Sequence, residues 1–107
     1  TELGYKQVSL SHLTSVINKI VVRGSTTVVD AYLSPKIKEY VDYQTKTFPD
    51  SKLFFMRSNG SLAYPHAFYG KDSIVSGPVG GIIGAIQSAS INKISKLISF
   101  DMGGTSC

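Results

Sequence analysis

Two glycine-rich segments, each joined to an apolar run, limit what this 107-residue chain can fold into. Residues 76–81 (SGPVGG) precede the apolar stretch 82–86, and residues 101–106 (DMGGTS) follow the apolar run 97–100. Glycine permits tight turns and lets the backbone approach a ligand closely, because it has no Cβ atom. Apolar strands and helices that alternate with such turns are typical of α/β proteins, so the sequence predicts an α/β fold.

The remaining elements are predicted from apolar periodicity. Residues 19–22 (KIVV) form a β-branched run that predicts a short strand. Apolar residues then recur at helical spacing on both sides of Pro35, which predicts a kinked helix or two abutting helices over about 26–47, with the hydroxyls of residues 25 and 26 as N-caps. The runs at 53–56 (LFFM) and 97–100 (LISF) predict buried strands, and their order predicts a parallel pair.

Composition and charge exclude several classes of protein. The net charge is +4, but the lysines are scattered and no dense basic run is interleaved with aromatics, which disfavours a nucleic-acid partner. No run of about 18 apolar residues predicts a membrane span, and the N-terminus lacks the pattern of a secretory signal. The single cysteine, Cys107, suits a reducing, cytoplasmic setting. The missing initiating Met indicates a piece excised from a longer chain.

The turn at 101–106 is the most informative candidate site. Consecutive N–H groups in a glycine turn can cradle phosphate oxygens, and the hydroxyls of Thr105 and Ser106 add donors. Asp101, at the end of the predicted strand, could hold Mg²⁺ beside a phosphate. The alternative is a tight β-turn that needs its glycines for positive φ.

The segment 76–81 permits two interpretations as well. A helix that starts after it would offer free N–H groups and a partial positive charge to an anion. Alternatively, Gly80, Gly81 and Gly84 allow close helix packing. The segment matches neither the dinucleotide fingerprint nor the P-loop, because no Lys-Ser/Thr pair follows the glycines.

Other side chains give weaker signals. Arg57 and Asn59 lie in a polar loop after the run at 53–56, and the Asn-Gly pair at 59–60 predicts a turn there. Ligands often bind at such strand ends in α/β sheets, although an ordinary turn explains the two side chains equally. His12 and His66 are far apart in the sequence and show no metal-ligand spacing. No serine has the G-x-S-x-G setting of a hydrolytic triad.

The ordered set of these motifs resembles the hydantoinase A/oxoprolinase family, in its eukaryotic 5-oxoprolinase type. The pieces that carry the resemblance cover nearly the whole chain: residues 8–12 (VSLSH), 23–24 (RG), 30–35 (DAYLSP), 53–60 (LFFMRSNG), 76–81 (SGPVGG) and 100–106 (FDMGGTS). Residues 1–24 would be a lead-in segment, and residues 25–107 the N-terminal part of the family's central domain.

The resemblance implies a fold and an activity. The fold is the actin-like (RNase-H-like) α/β ATPase, incomplete in this chain. The activity is hydrolysis of 5-oxo-L-proline to L-glutamate coupled to ATP hydrolysis, with ATP and Mg²⁺ bound. The implied partners are a small lactam and ATP, and the parent protein would be a homo-oligomer.

The resemblance also implies roles for the residues that match positions in the family's motifs. Asp101 would be the catalytic residue and the one nearest Mg²⁺, and Arg57 and Asn59 are weaker substrate candidates. The residues expected to bind the nucleotide are Ser76, Gly77, Gly80, Gly81, Gly103, Gly104, Thr105 and Ser106.

The chain ends where the family continues, and it lacks the family's first phosphate loop. We therefore expect an inactive and marginally stable fragment. The alternatives are a non-catalytic relic or interaction module, a piece of a related hydantoinase or carboxylase ATPase, and, less in keeping with residues 76–81, an actin-like sugar kinase.

Overall fold

The computed structural model describes residues 3–103, and most of its regular structure is helical. In chain order the elements are α1 (Ser11–Thr14), α2 (Ile20–Thr47), β1 (Phe55–Met56), β2 (Leu62–Ala63), a 3₁₀ turn (Pro65–Ala67), α3 (Gly70–Ser73) and α4 (Ser76–Ile91). Among these residues, no helix combines the length and apolar character that crossing a membrane requires.

A single 28-residue helix, α2, replaces the predicted strand at 19–22 and passes through Pro35. The strand prediction was wrong because β-branched residues tolerate a helix when no neighbouring strand is available to pair with them. The hydroxyls of Ser25 and Thr26 do not cap a helix start. Each donates to the carbonyl oxygen four residues earlier, as happens inside a helix.

The described strands form one antiparallel hairpin instead of the predicted parallel pair. β1 and β2 pair Phe55 with Ala63 and Met56 with Leu62. Residues 97–100, predicted as a strand, are irregular and exposed. A strand needs a neighbouring strand to share its backbone hydrogen bonds, and the two described strands pair with each other and not with this segment.

The hairpin turn is the Asn-Gly turn that the sequence predicts, and this prediction is confirmed. Gly60 has φ +82°, a left-handed conformation that suits glycine, and its N–H donates to the Arg57 carbonyl at 2.9 Å. A Cβ atom on Gly60 would lie 3.2 Å from Cδ1 of Ile83. The turn therefore packs closely on α4.

The hydrophobic core is small. Val41, Ala63 and Phe68 are buried together, and Ile37 and Phe55 pack against them. The rings of Phe55 and Phe68 stack with centroids 5.2 Å apart. This cluster joins α2 to the hairpin and to the segment before α3.

Much apolar surface remains uncovered. A compact protein of this mass exposes roughly 5,800 Å², whereas this chain exposes 8619 Å². Its radius of gyration is 16.7 Å, against about 13 Å for a compact domain of this length. Ile98 is 99% exposed and Phe100 is 80% exposed. Outside its small core, the fold leaves many large hydrophobic side chains exposed to water.

We predict that the isolated chain unfolds without a sharp transition, because so little apolar area leaves water on folding. Thermal unfolding followed by far-UV circular dichroism should be broad, and a dye that binds apolar surface should fluoresce before heating. A steep, reversible transition without dye binding would contradict this prediction.

The contact between α2 and α3 depends on Gly70. A Cβ atom there would lie 2.6 Å from the Ser34 nitrogen and 2.9 Å from the Asp30 carbonyl oxygen. Both are backbone atoms and cannot rotate away. Only glycine lets the two helices approach this closely.

Gly70→Ala should therefore destabilise the contact by about 1–3 kcal/mol, the usual cost of overpacking. Gly24→Ala is the matched control. No atom lies within 4 Å of a Cβ there, and α2 should gain about 0.5–1 kcal/mol. Hydrogen exchange at the Lys71 amide should accelerate in the first variant only. Equal exchange in both variants would show that the contact tolerates a methyl group.

Candidate functional site

A buried carboxylate, Asp30, lies where three segments meet. It is 6% exposed, in the middle of α2. Its Oδ2 accepts a hydrogen bond from the Ser9 hydroxyl at 2.7 Å, and its Oδ1 accepts from the Ser34 hydroxyl at 3.2 Å and the Lys71 N–H at 3.1 Å. Because an unpaired buried carboxylate is costly, these donors fix the lead-in segment and α3 against α2.

A second buried carboxylate, Asp72, attracts two cations. Its Oδ1 lies 3.0 Å from Lys71 Nζ, and its Oδ2 lies 3.7 Å from Arg57 Nε. The Tyr69 N–H also donates to Oδ2 at 3.2 Å. Asp72 thus joins Arg57, in the hairpin turn, to the start of α3.

Ser58 connects this cluster to α4. Its N–H and hydroxyl both donate to the Asp72 carbonyl oxygen, at 2.7 and 2.8 Å. Its Oγ accepts the Val75 N–H, at the residue just before α4, at 3.1 Å. The first turn of α4 is therefore positioned by the same polar contacts that hold α3.

Two of the predicted site residues, Gly81 and Asp101, line one cleft of about 590 Å³. We call it the nucleotide cleft, because the sequence predicts that both residues lie in a nucleotide site. It is formed by the first half of α4 and the irregular segment before residue 102. The residues that line it are Pro78, Gly81, Ile82, Ala85, Ser99, Phe100 and Asp101. Residues of the segment 76–81 and Asp101 thus line the same space.

The segment 76–81 is helical, so the predicted turn before a helix at residue 82 was wrong. α4 already begins at Ser76, and none of its glycines has positive φ. In a helix, only the first turn has free N–H groups, so those of Gly80 and Gly81 are already committed. The first turn of α4 carries no acidic residue.

The other predicted residues of α4 face elsewhere. Ser76 and Gly77 line a groove with Tyr40, Phe54 and Phe55, and the Ser76 hydroxyl donates to the Ser73 carbonyl at 3.0 Å.

Gly80 approaches β1, since a Cβ atom there would lie 3.7 Å from Met56 Cγ. Of the predicted α4 residues, Gly81 alone lines the nucleotide cleft.

Arg57 and Asn59 have structural partners. The Arg57 Nη2 donates to the Ala67 carbonyl at 2.8 Å. The Asn59 side-chain oxygen accepts from the Ser61 N–H at 3.0 Å and from the Ser61 hydroxyl at 2.7 Å. Asn59 therefore stabilises the hairpin turn, whereas Arg57 remains next to a cleft formed with Ser9, Asp30 and Lys71.

The rest of the predicted phosphate turn is only partly described. Gly103 is exposed, and Gly104, Thr105 and Ser106 lie outside the described residues. Within residues 3–103, no three His, Cys, Asp or Glu side chains come close enough together to hold a metal ion. Asp101 therefore stands alone there as a carboxylate in the nucleotide cleft.

Sequence reasoning missed the polar network around Asp30. One signal was available, because Asp30 interrupts the apolar run formed by Val28, Val29 and Ala31 on a helix. A charged residue among apolar neighbours on α2 indicates a buried carboxylate that needs partners. The partners lie as far away as Lys71, so no local pattern could identify them.

Comparison with known proteins decides the family. The profile of the hydantoinase/oxoprolinase family matches residues 23–107. The chain belongs to this family. The resemblance inferred from the sequence motifs is thereby confirmed.

The curated relatives of this hydantoinase/oxoprolinase chain are much longer. It is 42% identical to 5-oxoprolinase 1 of Arabidopsis thaliana, with 98% of the chain and 9% of the relative aligned. It is 40% identical to the 5-oxoprolinase of Dictyostelium discoideum, with 98% and 10% aligned. The chain thus spans about a tenth of the length of these relatives. No solved structure matches it significantly.

Asp30→Ala should loosen the lead-in segment and α3 together, because three donors lose their acceptor. The expected cost is about 2–3 kcal/mol, typical of hydrogen bonds to a charged group. Asp42→Ala, an exposed aspartate on the same helix, is the control. Amide exchange at Ser9 and Lys71 should rise only in the Asp30 variant. Unchanged exchange there would show that the network contributes little.

Proposed function

We propose that this chain forms part of the nucleotide site of an ATP-dependent 5-oxoprolinase with an actin-like α/β ATPase fold. The activity is hydrolysis of 5-oxo-L-proline to L-glutamate coupled to ATP hydrolysis. The observation that carries the proposal is the nucleotide cleft, which both Gly81 of α4 and Asp101 line. The names of the relatives, 5-oxoprolinases of a plant and an amoeba, support the substrate.

The wall formed by α4 suits an anion. The N-terminus of a 16-residue helix carries a partial positive charge, although Ser76 and Gly77, which have free N–H groups, line a separate groove. No acidic residue in its first turn opposes a phosphate. Gly81 lines the cleft without a side chain, so a phosphate group can approach the helix there.

The segment before residue 102 supplies a carboxylate. Asp101 is exposed and has room to contact a hydrated Mg²⁺ ion, which in nucleotide sites is bound by one or two carboxylates together with phosphate oxygens. Bound Mg²⁺ would neutralise phosphate charge. Gly103, and Gly104 to Ser106 beyond the described residues, would add donors to the phosphates.

The chemistry needs activation of an unreactive lactam. Transfer of the γ-phosphoryl group to the amide oxygen makes the ring carbon electrophilic. This transfer releases ADP. Water then attacks that carbon, and the C–N bond breaks as the nitrogen takes up a proton, which leaves an acyl phosphate. A second water hydrolyses the acyl phosphate to L-glutamate and phosphate. In this scheme the residues of this chain bind and orient the phosphates, and the electrostatic stabilisation of charge provides the rate enhancement.

The nucleotide cleft is open to solvent, and within residues 3–103 it is lined only by α4 and residues 99–101. ATP held from one side would not be shielded from water, so the 107-residue chain alone should be inactive. Activity belongs to a polypeptide of the length of the relatives, of which this chain spans about a tenth.

In a full-length protein that carries this sequence, Asp101→Ala should lower kcat by about 100-fold or more, the usual effect of removing a preorganised electrostatic group. ATP-dependent release of glutamate from 5-oxo-L-proline measures it. Asp50→Ala, another exposed aspartate, is the matched control and should retain activity. Full activity of the Asp101 variant would refute the proposed role of this turn.

A further inference from the structure

We propose that the groove beside β1 holds a further β-strand, supplied by a part of the longer polypeptide outside these 107 residues. The groove has a volume of about 580 Å³, and we call it the strand groove. Residues 53–56 line it, together with residues of α2 and the first turn of α4. This inference does not depend on the proposed activity.

The hairpin lies between two helices. Successive side chains of a strand point to opposite faces. Phe55 packs against the buried cluster that contains Val41 of α2, and its ring meets that of Tyr40 edge-on, with centroids 6.1 Å apart. The next residue, Met56, faces α4, because a Cβ atom on Gly80 would lie 3.7 Å from its Cγ. The hairpin is therefore a middle layer with a helix on each face, as in an α/β layer structure.

One edge of β1 has no partner among the described residues. The Arg57 N–H donates to the Ser61 carbonyl at 2.8 Å, and the register pairs Phe55 with Ala63. Because bonded and non-bonded pairs alternate in an antiparallel ladder, Phe55 directs its N–H and C=O towards β2, and Met56 directs both away from it. Within residues 3–103, no backbone group bonds to Met56 at this edge. Met56 is half-buried, so its N–H and C=O require a partner.

The walls of the strand groove require an apolar occupant. Within residues 3–103, no charged side chain lines the groove. Ile37 and Tyr40 contribute apolar surface on the α2 side. On the α4 side, a Cβ atom on Gly77 would meet no atom within 4 Å, which leaves room for a large side chain. Since the side chains of an added strand point alternately to the two walls, we expect a continuous apolar run.

The occupant belongs to the same polypeptide. This chain spans about a tenth of the length of its relatives, so a protein of their length has many segments that can supply a strand. A tethered segment binds at a high effective concentration, whereas a separate molecule must lose its translational freedom. Each described strand has only two residues, so a second copy would offer too few hydrogen bonds for a stable pair.

Hydrogen exchange in a full-length protein that carries this sequence tests for the added strand. The Met56 N–H should be protected at least about 100-fold relative to an unfolded chain, and as strongly as the Phe55 N–H, because both are bonded within one sheet. Protection of Phe55 with free exchange at Met56 would overturn the proposal. A helix laid over the groove gives that second result, since its own hydrogen bonds are internal and it offers Met56 no acceptor.

A photoreactive side chain identifies the occupant. Phe54 lines the groove and is 48% exposed, so Phe54→p-benzoylphenylalanine fits the full-length protein. Irradiation should join residue 54 to an apolar peptide from outside the 107 residues, in a product with the mass of one polypeptide. The same replacement at Tyr32, which is 81% exposed on α2 and outside the groove, is the matched control and should not capture that peptide.

Two products would refute the assignment of the strand groove. One is a product with the mass of two polypeptides, which would place a second subunit there. The other is a cross-link confined to the 107 residues. Neither experiment uses nucleotide or substrate, so these results would leave the role of Asp101 unaffected.

Discussion

The buried carboxylate of Asp30 is the interaction on which the rest of the described structure depends. A carboxylate that is 6% exposed needs donors, and it obtains them from Ser9, Ser34 and the Lys71 backbone. Because these donors belong to the lead-in segment, α2 and α3, meeting its requirement sets the relative position of all three. The hydrophobic core is too small to do this alone, since it buries only Val41, Ala63 and Phe68 as one cluster.

The start of α4 also depends on this network. Gly70 lets α3 approach α2, and Asp72 then pairs with Arg57 and Lys71. Ser58 extends the contacts from Asp72 to Val75 and so positions the first turn of α4, which forms one wall of the nucleotide cleft. Gly81 lies inside this helix and lines the cleft, whereas the sequence alone suggested free N–H groups at the start of a helix after residue 81.

Short-range sequence patterns predicted the elements that depend on interactions between residues close in the sequence. Apolar periodicity predicted the helix over most of 26–47. The Asn-Gly pair predicted the turn, in which Gly60 has positive φ. The ordered motifs were enough to identify the family. The predictions of strands at 19–22 and 97–100 were wrong, because a strand requires a neighbouring strand and the two described strands pair with each other. The network around Asp30 joins residues up to 41 positions apart, so periodicity could not reveal it. The chain exposes 8619 Å² of surface, much of it apolar, and it spans 9–10% of its relatives' length. Its apolar side chains, like the predicted strands, lack neighbouring segments to pack against.

The central claim is that Asp101 and the first half of α4 form one side of a nucleotide site. Replacing Mg²⁺ by paramagnetic Mn²⁺ tests it directly, because the ion broadens the NMR signals of nearby amides in a full-length protein that carries this sequence. With ATP present, the account predicts the strongest broadening at Asp101, Gly103 and Gly81. No broadening at Asp101, or the strongest broadening at residues that do not line the nucleotide cleft, would contradict it.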